Sequence, residues 1–525
     1  MSAAGRRNAL MVGAGILCSR ILGLVRQRVF SHYLGLSDAA DIFSSALRVP
    51  NFLQNLFGEG VLSASFIPVY ARLLGEGRRE EANRLAGAIA AVIGLGISII
   101  VVLGVLATPW LLWLIAPGYT GQKRELTVLI VRILFPGTGV LVWSAWCLGI
   151  LNSHGKFFLS YAAPVAWNLA MIVTLVLFRH APHDRMIVAL AWGTVLGCVL
   201  QFLVQIVPVL RAEPGMRLAL ALRSAHVRQV AGSFASVAVG RGVVQISAFV
   251  DQAISTLLGQ GAMAAMTTAA SVNMLPISLF GMAISAAELP ALSRLAGARP
   301  DGEIAQRLVE RLDDGLERIA FFIVPSAMAF FALGDVIVGA LYQSGAFTRT
   351  DTLFVWGILA GSGVGLLAST CGRLYASTYY AMHDARTPLR YALVRLAATA
   401  ALGLVSALWL PGLLGVDPRW GTMCLTASAG VAGWIEYGLL RRGMNARLGR
   451  TGVAGTLMLR LWLAASGAAL FACALEYGCR GWSPIPLAVV VLGLYGTAYF
   501  ALTWWMRVRE CRALFAKIAA RLRRA

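Results

Sequence analysis

Apolar runs of at least about 18 residues recur along the whole chain, and they limit the possible folds more than any other feature. Each run is long enough to cross a hydrocarbon core of about 30 Å as an α-helix. Strands of a transmembrane barrel would instead alternate in polarity over roughly ten residues, and the sequence shows no such alternation. The sequence therefore predicts an all-α, polytopic membrane protein.

The composition agrees with this fold class and argues against a nucleic-acid partner. Charged residues make up 13% of the 525 positions, whereas soluble domains carry about 25%. The net charge of +21 comes from arginines that lie mainly in short loops between the apolar runs, as the positive-inside rule requires. The eight cysteines are scattered and the six histidines do not cluster, so we expect no metal site.

Fourteen membrane spans account for the hydropathy pattern. Loops after even-numbered spans are rich in arginine, and so are both ends of the chain, which places both termini in the cytoplasm. The main exceptions to this charge pattern are Lys123, Arg124, Arg179 and Arg185. The predicted spans are 8–34, 39–70, 86–115, 126–151, 161–179, 186–210, 229–258, 262–292, 318–341, 352–381, 388–410, 420–440, 455–475 and 484–507.

An internal repeat divides the chain. Short motifs of the first half return in the second half at offsets of 222 to 224 residues: Leu34-Gly35 as Leu258-Gly259, Leu56-Phe57-Gly58 as Leu279-Phe280-Gly281, and Pro68 with Arg72 as Pro290 with Arg294. The offset contains six spans, so the two copies have the same orientation. We therefore predict two parallel lobes, 1–225 and 226–445, with a substrate site between them and an appended pair of spans with a basic tail over 446–525.

Polar residues form a stripe on the first span. If this helix starts near Asn8, Arg20 lies about 18 Å along it, where an arginine costs about 2.5 to 3.5 kcal/mol. Ser19, Arg20 and Arg26 fall within an arc of about 120°, and Arg28 lies on the opposite side. The stripe should face protein or water, although outward snorkelling is an alternative for Arg26 and Arg28.

Further polar residues lie within other predicted spans. Span 2 adds Asp41, Arg48, Asn51 and Glu59, and the second half adds Arg241, Asp251, Glu288 and Arg373. Asp41 and Glu59 either neutralise arginines or contact a solute. Asp251 is either a cation or proton site or a buried counter-ion. Arg395 and Glu436 lie close to predicted helix ends, so they are weak evidence for a site within the membrane.

These residues favour a transporter with a cationic cavity. The basic residues outnumber the acidic ones in the first repeat, and the planar fork of arginine suits phosphate. The sequence contains no Walker-type loop, no His-Glu-x-x-His and no Gly-x-Ser-x-Gly motif, which argues against an enzyme. We expect no cofactor, so energy would come from the membrane potential, an ion gradient or depletion of the substrate on the far side. A channel is the third functional class to consider beside a transporter and an enzyme.

The segment SRILGLVRQRVFSHYLGLSDAADIFSSALRVPNFLQNLFGEGVLSASFIPVY, residues 19–70, resembles the signature region of the MurJ (MviN) lipid II flippases. That family belongs to a larger exporter superfamily that includes drug/cation antiporters. The similarity continues with LFGMAISAAELPALSR, residues 279–294, and with Thr387-Pro388. It covers roughly residues 8–440 and is weaker over the last two spans.

The resemblance implies a protein of fourteen helices in a bacterial inner membrane. It also implies that the protein moves lipid II from the inner to the outer leaflet. It implies a final helix pair with a lipid-facing groove, and a protein that works as a monomer among membrane lipids. The functional residues of the family match Ser19, Arg20, Arg26, Asp41, Asn51 and Arg373.

Two positions depart from the family pattern. Gln54 and Ser271 stand where members usually carry arginine, and Arg48 and Arg241 are candidates to replace the charge. The alternatives to lipid II are therefore another polyprenyl-diphosphate-linked glycan, or small molecules carried by an exporter like those of the multidrug and toxic compound extrusion (MATE) class.

Overall fold

The computed structural model describes residues 3–57, 59–221, 224–285, 288, 292, 302–479 and 481–522. Apart from one isolated bridge between Ser344 and Phe347, the regular structure in these ranges is helical. The backbone forms two compact units, residues 1–264 and 265–525. The predicted all-α fold is therefore confirmed.

The first unit consists of ten helices and the start of an eleventh. They are α1 (Ala3–Leu34), α2 (Asp38–Phe57), α3 (Glu59–Ser65), α4 (Ile67–Gly75), α5 (Arg79–Ile115), α6 (Gly121–Ser153), α7 (Phe157–Ala162), α8 (Pro164–Leu177), α9 (His183–Ala212), α10 (Ala225–Thr256) and α11 (Ala262–Pro276).

The second unit begins within α11, which continues into a π-helical turn, Ile277–Met282. The helices that follow are α12 (Gly302–Ala332), α13 (Gly334–Tyr342), α14 (Arg349–Ala381), α15 (Arg386–Leu408), α16 (Leu410–Leu413), α17 (Gly421–Leu448), α18 (Gly455–Gly478), α19 (Pro484–Trp505) and α20 (Arg509–Leu522).

Ten helical stretches in the described part of the chain are long and apolar enough to cross a membrane. Four other helices, α1, α2, α10 and α17, correspond to predicted spans 1, 2, 7 and 12 and are not among these ten. Three of them, α1, α2 and α10, contain most of the charged candidates, including Arg20, Asp41 and Asp251. Most charged candidate residues therefore lie on helices outside this set of ten.

Several predicted boundaries need correction. Predicted span 2 is divided into α2, α3 and α4, and Pro68 lies in the first turn of α4, where a proline fits without loss of a hydrogen bond. Predicted span 9 is the end of α12 together with α13, because α12 begins 16 residues before 318, at Gly302, with an amphipathic, charged segment. The predicted basic tail contains a helix of its own, α20.

The division into lobes 1–225 and 226–445 stays a prediction. The two compact units place α10 with the first six predicted spans. These units are defined by which parts of the backbone pack together, so they do not test where one sequence repeat ends and the next begins.

Small residues allow close helix packing in the second unit. A Cβ atom on Gly430 of α17 would lie 2.7 Å from the backbone nitrogen of Gly365 in α14. The appended helix α19 packs on α12, where the hydroxyls of Tyr495 and Tyr499 each donate a 2.7 Å hydrogen bond to a backbone carbonyl. The last helix pair is thus firmly attached to the second unit.

We predict that Gly430→Ala destabilises the protein by about 1 to 3 kcal/mol, because the added methyl group meets backbone atoms that cannot rotate away. Gly433→Ala is the matched control on the same helix, since its Cβ would meet nothing within 4 Å. The control should be neutral or stabilising by up to about 1 kcal/mol. Thermal melting in detergent measures both variants, and equal melting temperatures would contradict the close packing of α14 and α17.

Candidate functional site

The stripe on α1 divides into two parts in the structure. Ser19 is half-buried and Arg20 is exposed, whereas Arg26 is half-buried against α8. The guanidinium carbon of Arg26 lies 4.9 Å from the ring centroid of Trp167, and Nη1 lies 3.8 Å from the sulfur of Met171. A cation–π contact of this kind holds the guanidinium group in place, so Arg26 is packed against the protein instead of snorkelling outward.

Asp41 is the most completely satisfied charged residue among the candidates. Its side chain is 1% exposed. Oδ2 accepts hydrogen bonds from the backbone nitrogen of Gly261 at 2.8 Å and from Lys123 Nζ at 3.0 Å, while Oδ1 accepts one from the backbone nitrogen of Ala264 at 2.9 Å. Asp41 therefore caps the start of α11, where unpaired N–H groups attract a negative charge.

Lys123 explains one exception to the charge pattern. Its ammonium group pairs with Asp38 at 2.6 Å as well as with Asp41, and it lies 4.5 Å from the ring centroid of Tyr119. The sequence signalled this residue only as a lysine in a loop that should have few basic residues. Its role as a partner of the candidate aspartate was not predicted.

A second polar contact joins α2 to α10. Arg48 Nη1 donates to the carbonyl oxygen of Ala248 at 3.1 Å, and Asp251 attracts the same guanidinium group electrostatically. One turn earlier on α2, the carbonyl oxygen of Ser45 accepts a hydrogen bond at 3.4 Å from Nε2 of Gln252, which lies one turn later on α10. Asp251 thus has the surroundings of a counter-ion, and its alternative role as a cation or proton site stays a prediction.

The remaining candidates of the first unit are less well defined. Asn51 and Gln54 are half-buried on α2. The helical backbone includes Glu59 and Arg241, but their side chains lie outside the described residues. The described part of the chain contains no group of three or more His, Cys, Asp or Glu side chains placed to hold a metal ion.

In the second unit, Arg373 is exposed on α14 near two charges from neighbouring helices. These are Arg395 and Glu436, which form a 3.0 Å ion pair. The expectation that both lie near helix ends is wrong, because α15 spans Arg386–Leu408 and α17 spans Gly421–Leu448, so that Arg395 and Glu436 each lie near the middle of a helix. The ion pair of Arg395 and Glu436 therefore forms part of the charged surroundings of Arg373.

Two other residues have local partners in the second unit. Glu288 is buried and accepts hydrogen bonds from Arg311 at 2.8 Å and Arg318 at 3.1 Å, so it neutralises the charged start of α12. Ser271, which stands where the family usually has arginine, donates to the carbonyl oxygen of Thr267 on its own helix at 3.0 Å. Neither contact requires a ligand.

The arrangement in the first unit suits the binding of an anion. Arg20 presents an exposed guanidinium group on α1, and Arg26 and Arg48 are held by neighbouring helices. Guanidinium groups bind phosphate through paired N–H donors. A phosphate-containing substrate is therefore the chemistry that these residues match.

A family model described as lipid II flippase MurJ matches residues 30–495. The chain belongs to the MurJ family. The matched range continues past residue 440 to include α18 and about the first half of α19. Membership places the chain among transporters and confirms the family resemblance of residues 19–70.

Curated relatives match over most of their length. The lipid II flippase MurJ of Burkholderia cenocepacia is 29% identical over 518 residues, which cover 95% of this chain and 97% of that protein. A probable lipid II flippase MurJ of Rhizobium tropici is 30% identical over 432 residues, with 81% and 78% covered.

Solved structures share the fold. A lipid II flippase MurJ in an inward closed conformation has a TM-score of 0.76 at 22% identity and covers 95% of this chain and 99% of its own. An inward-facing multidrug resistance MATE transporter of the MOP superfamily has a TM-score of 0.65 at 19% identity, with 82% and 95% covered. This chain thus shares its fold with both of these structures.

We predict that Asp41→Asn destabilises the first unit by about 2 kcal/mol or more, because an amide cannot replace a carboxylate that accepts three hydrogen bonds. Asp38→Asn is the matched control, since Asp38 pairs with the same lysine but its side chain is 56% exposed. The control should change stability by less than about 1 kcal/mol. Thermal melting of the purified variants tests this, and an equal loss in both would mean that the cap on α11 contributes little.

Proposed function

We propose that this chain moves lipid II, the undecaprenyl-diphosphate-linked precursor of peptidoglycan, from the inner to the outer leaflet of the bacterial inner membrane. The observation that carries the proposal is the match to MurJ relatives over almost their whole length. The product would serve cell-wall biogenesis. Both termini lie in the cytoplasm, as the basic loops predict.

The residues of α1 and α2 would bind the diphosphate. Arg20 is exposed and free to approach a phosphate, while Trp167 fixes the plane of the Arg26 guanidinium group. Preorganised donors bind an anion with less loss of side-chain entropy. Ser19 of α1 and Asn51 of α2 would add uncharged hydrogen-bonding groups. Arg373 of the second unit stays a predicted substrate-binding residue.

Alternating access needs contacts that hold one state and break in another. The hydrogen bonds of Asp41 to the start of α11 fit this requirement, because they join two helices through a few polar atoms instead of a broad apolar surface. We infer that they break when the predicted outer side opens. The membrane potential or an ion gradient would supply the energy, and the chain would act as a monomer without a cofactor.

A related glycan is the second candidate substrate. It is favoured by one observation: Gln54 and Ser271 replace two arginines that the family pattern contains, and Ser271 is occupied by a bond within its own helix. Another polyprenyl-diphosphate-linked glycan would keep the need for Arg20 and Arg26. An exporter of small cations would need acidic residues and tolerate loss of these arginines.

We predict that Arg20→Ala and Arg26→Ala each abolish complementation in a bacterium depleted of its own flippase, while the unchanged chain restores growth. Arg28→Ala is the matched control, because Arg28 lies on the opposite side of the same helix and should keep most activity. Membrane levels of every variant are measured in parallel, since loss of insertion would also stop growth.

Two outcomes would contradict the proposal. Failure of the well-expressed, correctly inserted original chain would argue against lipid II as the substrate. Full growth with both arginine variants would show that these residues only pack or pair. If the original chain fails, the next measurement is whether it brings other polyprenyl-diphosphate-linked glycans to the outer leaflet.

A further inference from the structure

Two cavities lie side by side between α5 and α10 in the first unit. One has a volume of about 230 Å³ and is lined only by apolar residues and glycine, among them Ile89, Ile93 and Ile97 of α5 and Val230 and Phe234 of α10. Phe57 of α2, Leu62 of α3 and Val142 of α6 complete the lining, and a cavity with such apolar walls suits a hydrocarbon chain. None of the candidate substrate residues lines it.

The second cavity is larger and is lined by charged residues of both signs as well as by apolar ones. Its volume is about 590 Å³, and its charged lining comprises Arg78, Arg79, Arg84, Glu80 and Glu81, with His226 beside them. Val227 lines both cavities, so the polar one adjoins the apolar one along the same helix pair. A charged compartment next to a hydrocarbon slot is the arrangement that a lipid headgroup and one of its chains require.

The basic residues of the polar cavity are not all neutralised. Arg78 pairs with Glu76 and Glu81, at 2.9 and 2.7 Å, and Arg84 pairs with Glu80 at 3.2 Å. Arg79 is exposed, and no carboxylate in the described ranges forms an ion pair with it. It opens α5, and the two glutamates of the same first turn, Glu80 and Glu81, are paired with Arg84 and Arg78 instead.

The near part of the apolar cavity lies within one leaflet of Arg79. Ten residues separate Arg79 from Ile89 and fourteen separate it from Ile93, which is about 15 to 21 Å along α5. Half of a bilayer of about 40 to 45 Å, headgroups included, has a similar thickness, so an acyl chain that starts beside Arg79 reaches this part of the cavity. The basic loop before α5 is predicted to be cytoplasmic, and the cytoplasmic leaflet is the one that presents anionic lipids to such loops.

We propose that this helix pair binds an anionic diacyl phospholipid of the cytoplasmic leaflet, with the phosphate beside Arg79 and one acyl chain in the apolar cavity. The charge of Arg79 selects an anionic over a zwitterionic headgroup, and the wall of isoleucine and valine side chains accepts the chain. The site is separate from the residues of α1 and α2 that we assign to the transported substrate.

The test uses the full-length protein in vesicles of phosphatidylethanolamine and phosphatidylglycerol. The probe is a phosphatidylglycerol that carries a photoactivatable diazirine on one acyl chain, and crosslinked peptides are mapped by mass spectrometry. We expect crosslinks within residues 89–97 and 230–234. Unlabelled phosphatidylglycerol should compete about fivefold better than phosphatidylcholine, the effect of one basic residue at an anionic surface.

Two pairs of variants separate the parts of the site. Ile93→Trp fills the apolar cavity and should abolish these crosslinks, whereas Ile99→Trp, on the exposed side of α5, should leave them unchanged. Arg79→Gln should remove the preference for phosphatidylglycerol but keep the crosslinks. Arg185→Gln, in the first turn of α9 at the predicted outer side, is its control.

Several results would overturn the proposal. Crosslinks that persist in Ile93→Trp, or that fall only on exposed residues such as Ile99, would show ordinary annular lipid. Better competition by a polyprenyl diphosphate than by phosphatidylglycerol would assign the cavity to the tail of the transported substrate. The competition experiment on the unchanged chain gives an answer even if Ile93→Trp fails to fold.

Discussion

The carboxylate of Asp41 lies where α2, the start of α6 and the start of α11 meet, and three donors satisfy it there. A charge at membrane depth must be paired, hydrogen-bonded or in contact with water. The neighbouring contacts obey the same constraint: Arg48 binds a carbonyl of α10 and lies near Asp251, and Arg26 stacks on Trp167. Polar contacts of this kind, more than apolar area, determine how the least hydrophobic helices of the first unit are placed.

These contacts also suit a transporter. Apolar packing is broad and costly to separate, whereas a cap made by one carboxylate can break when a ligand or a neighbouring charge competes for it. Arg20 differs from the other candidates because it is exposed on a helix whose neighbours hold Arg26. One arginine is thus held by the protein and another is accessible, an arrangement that suits binding of a diphosphate and its later release.

The sequence predicts the fold well because hydrocarbon allows few solutions: long apolar runs become helices, and the predicted spans correspond to described helices. Boundaries are less predictable where a helix leaves the membrane. The charged segment of α12 before residue 318 and helix α20 are examples. Helical phase predicted the stripe of Ser19, Arg20 and Arg26, but not that Arg26 packs on Trp167. The roles of Lys123 and Glu436 also depend on tertiary contacts that a linear pattern does not contain.

The central claim is that the polar side of α1 faces a water-accessible path used by lipid II. It is tested most directly by replacing the native cysteines and introducing Ser19→Cys or, as a control on the apolar side, Ile21→Cys. A membrane-impermeant thiol reagent should label the cysteine at position 19, and lipid II should protect it, while position 21 stays unlabelled. Equal labelling at both positions, or labelling at position 19 that lipid II does not change, would contradict the account.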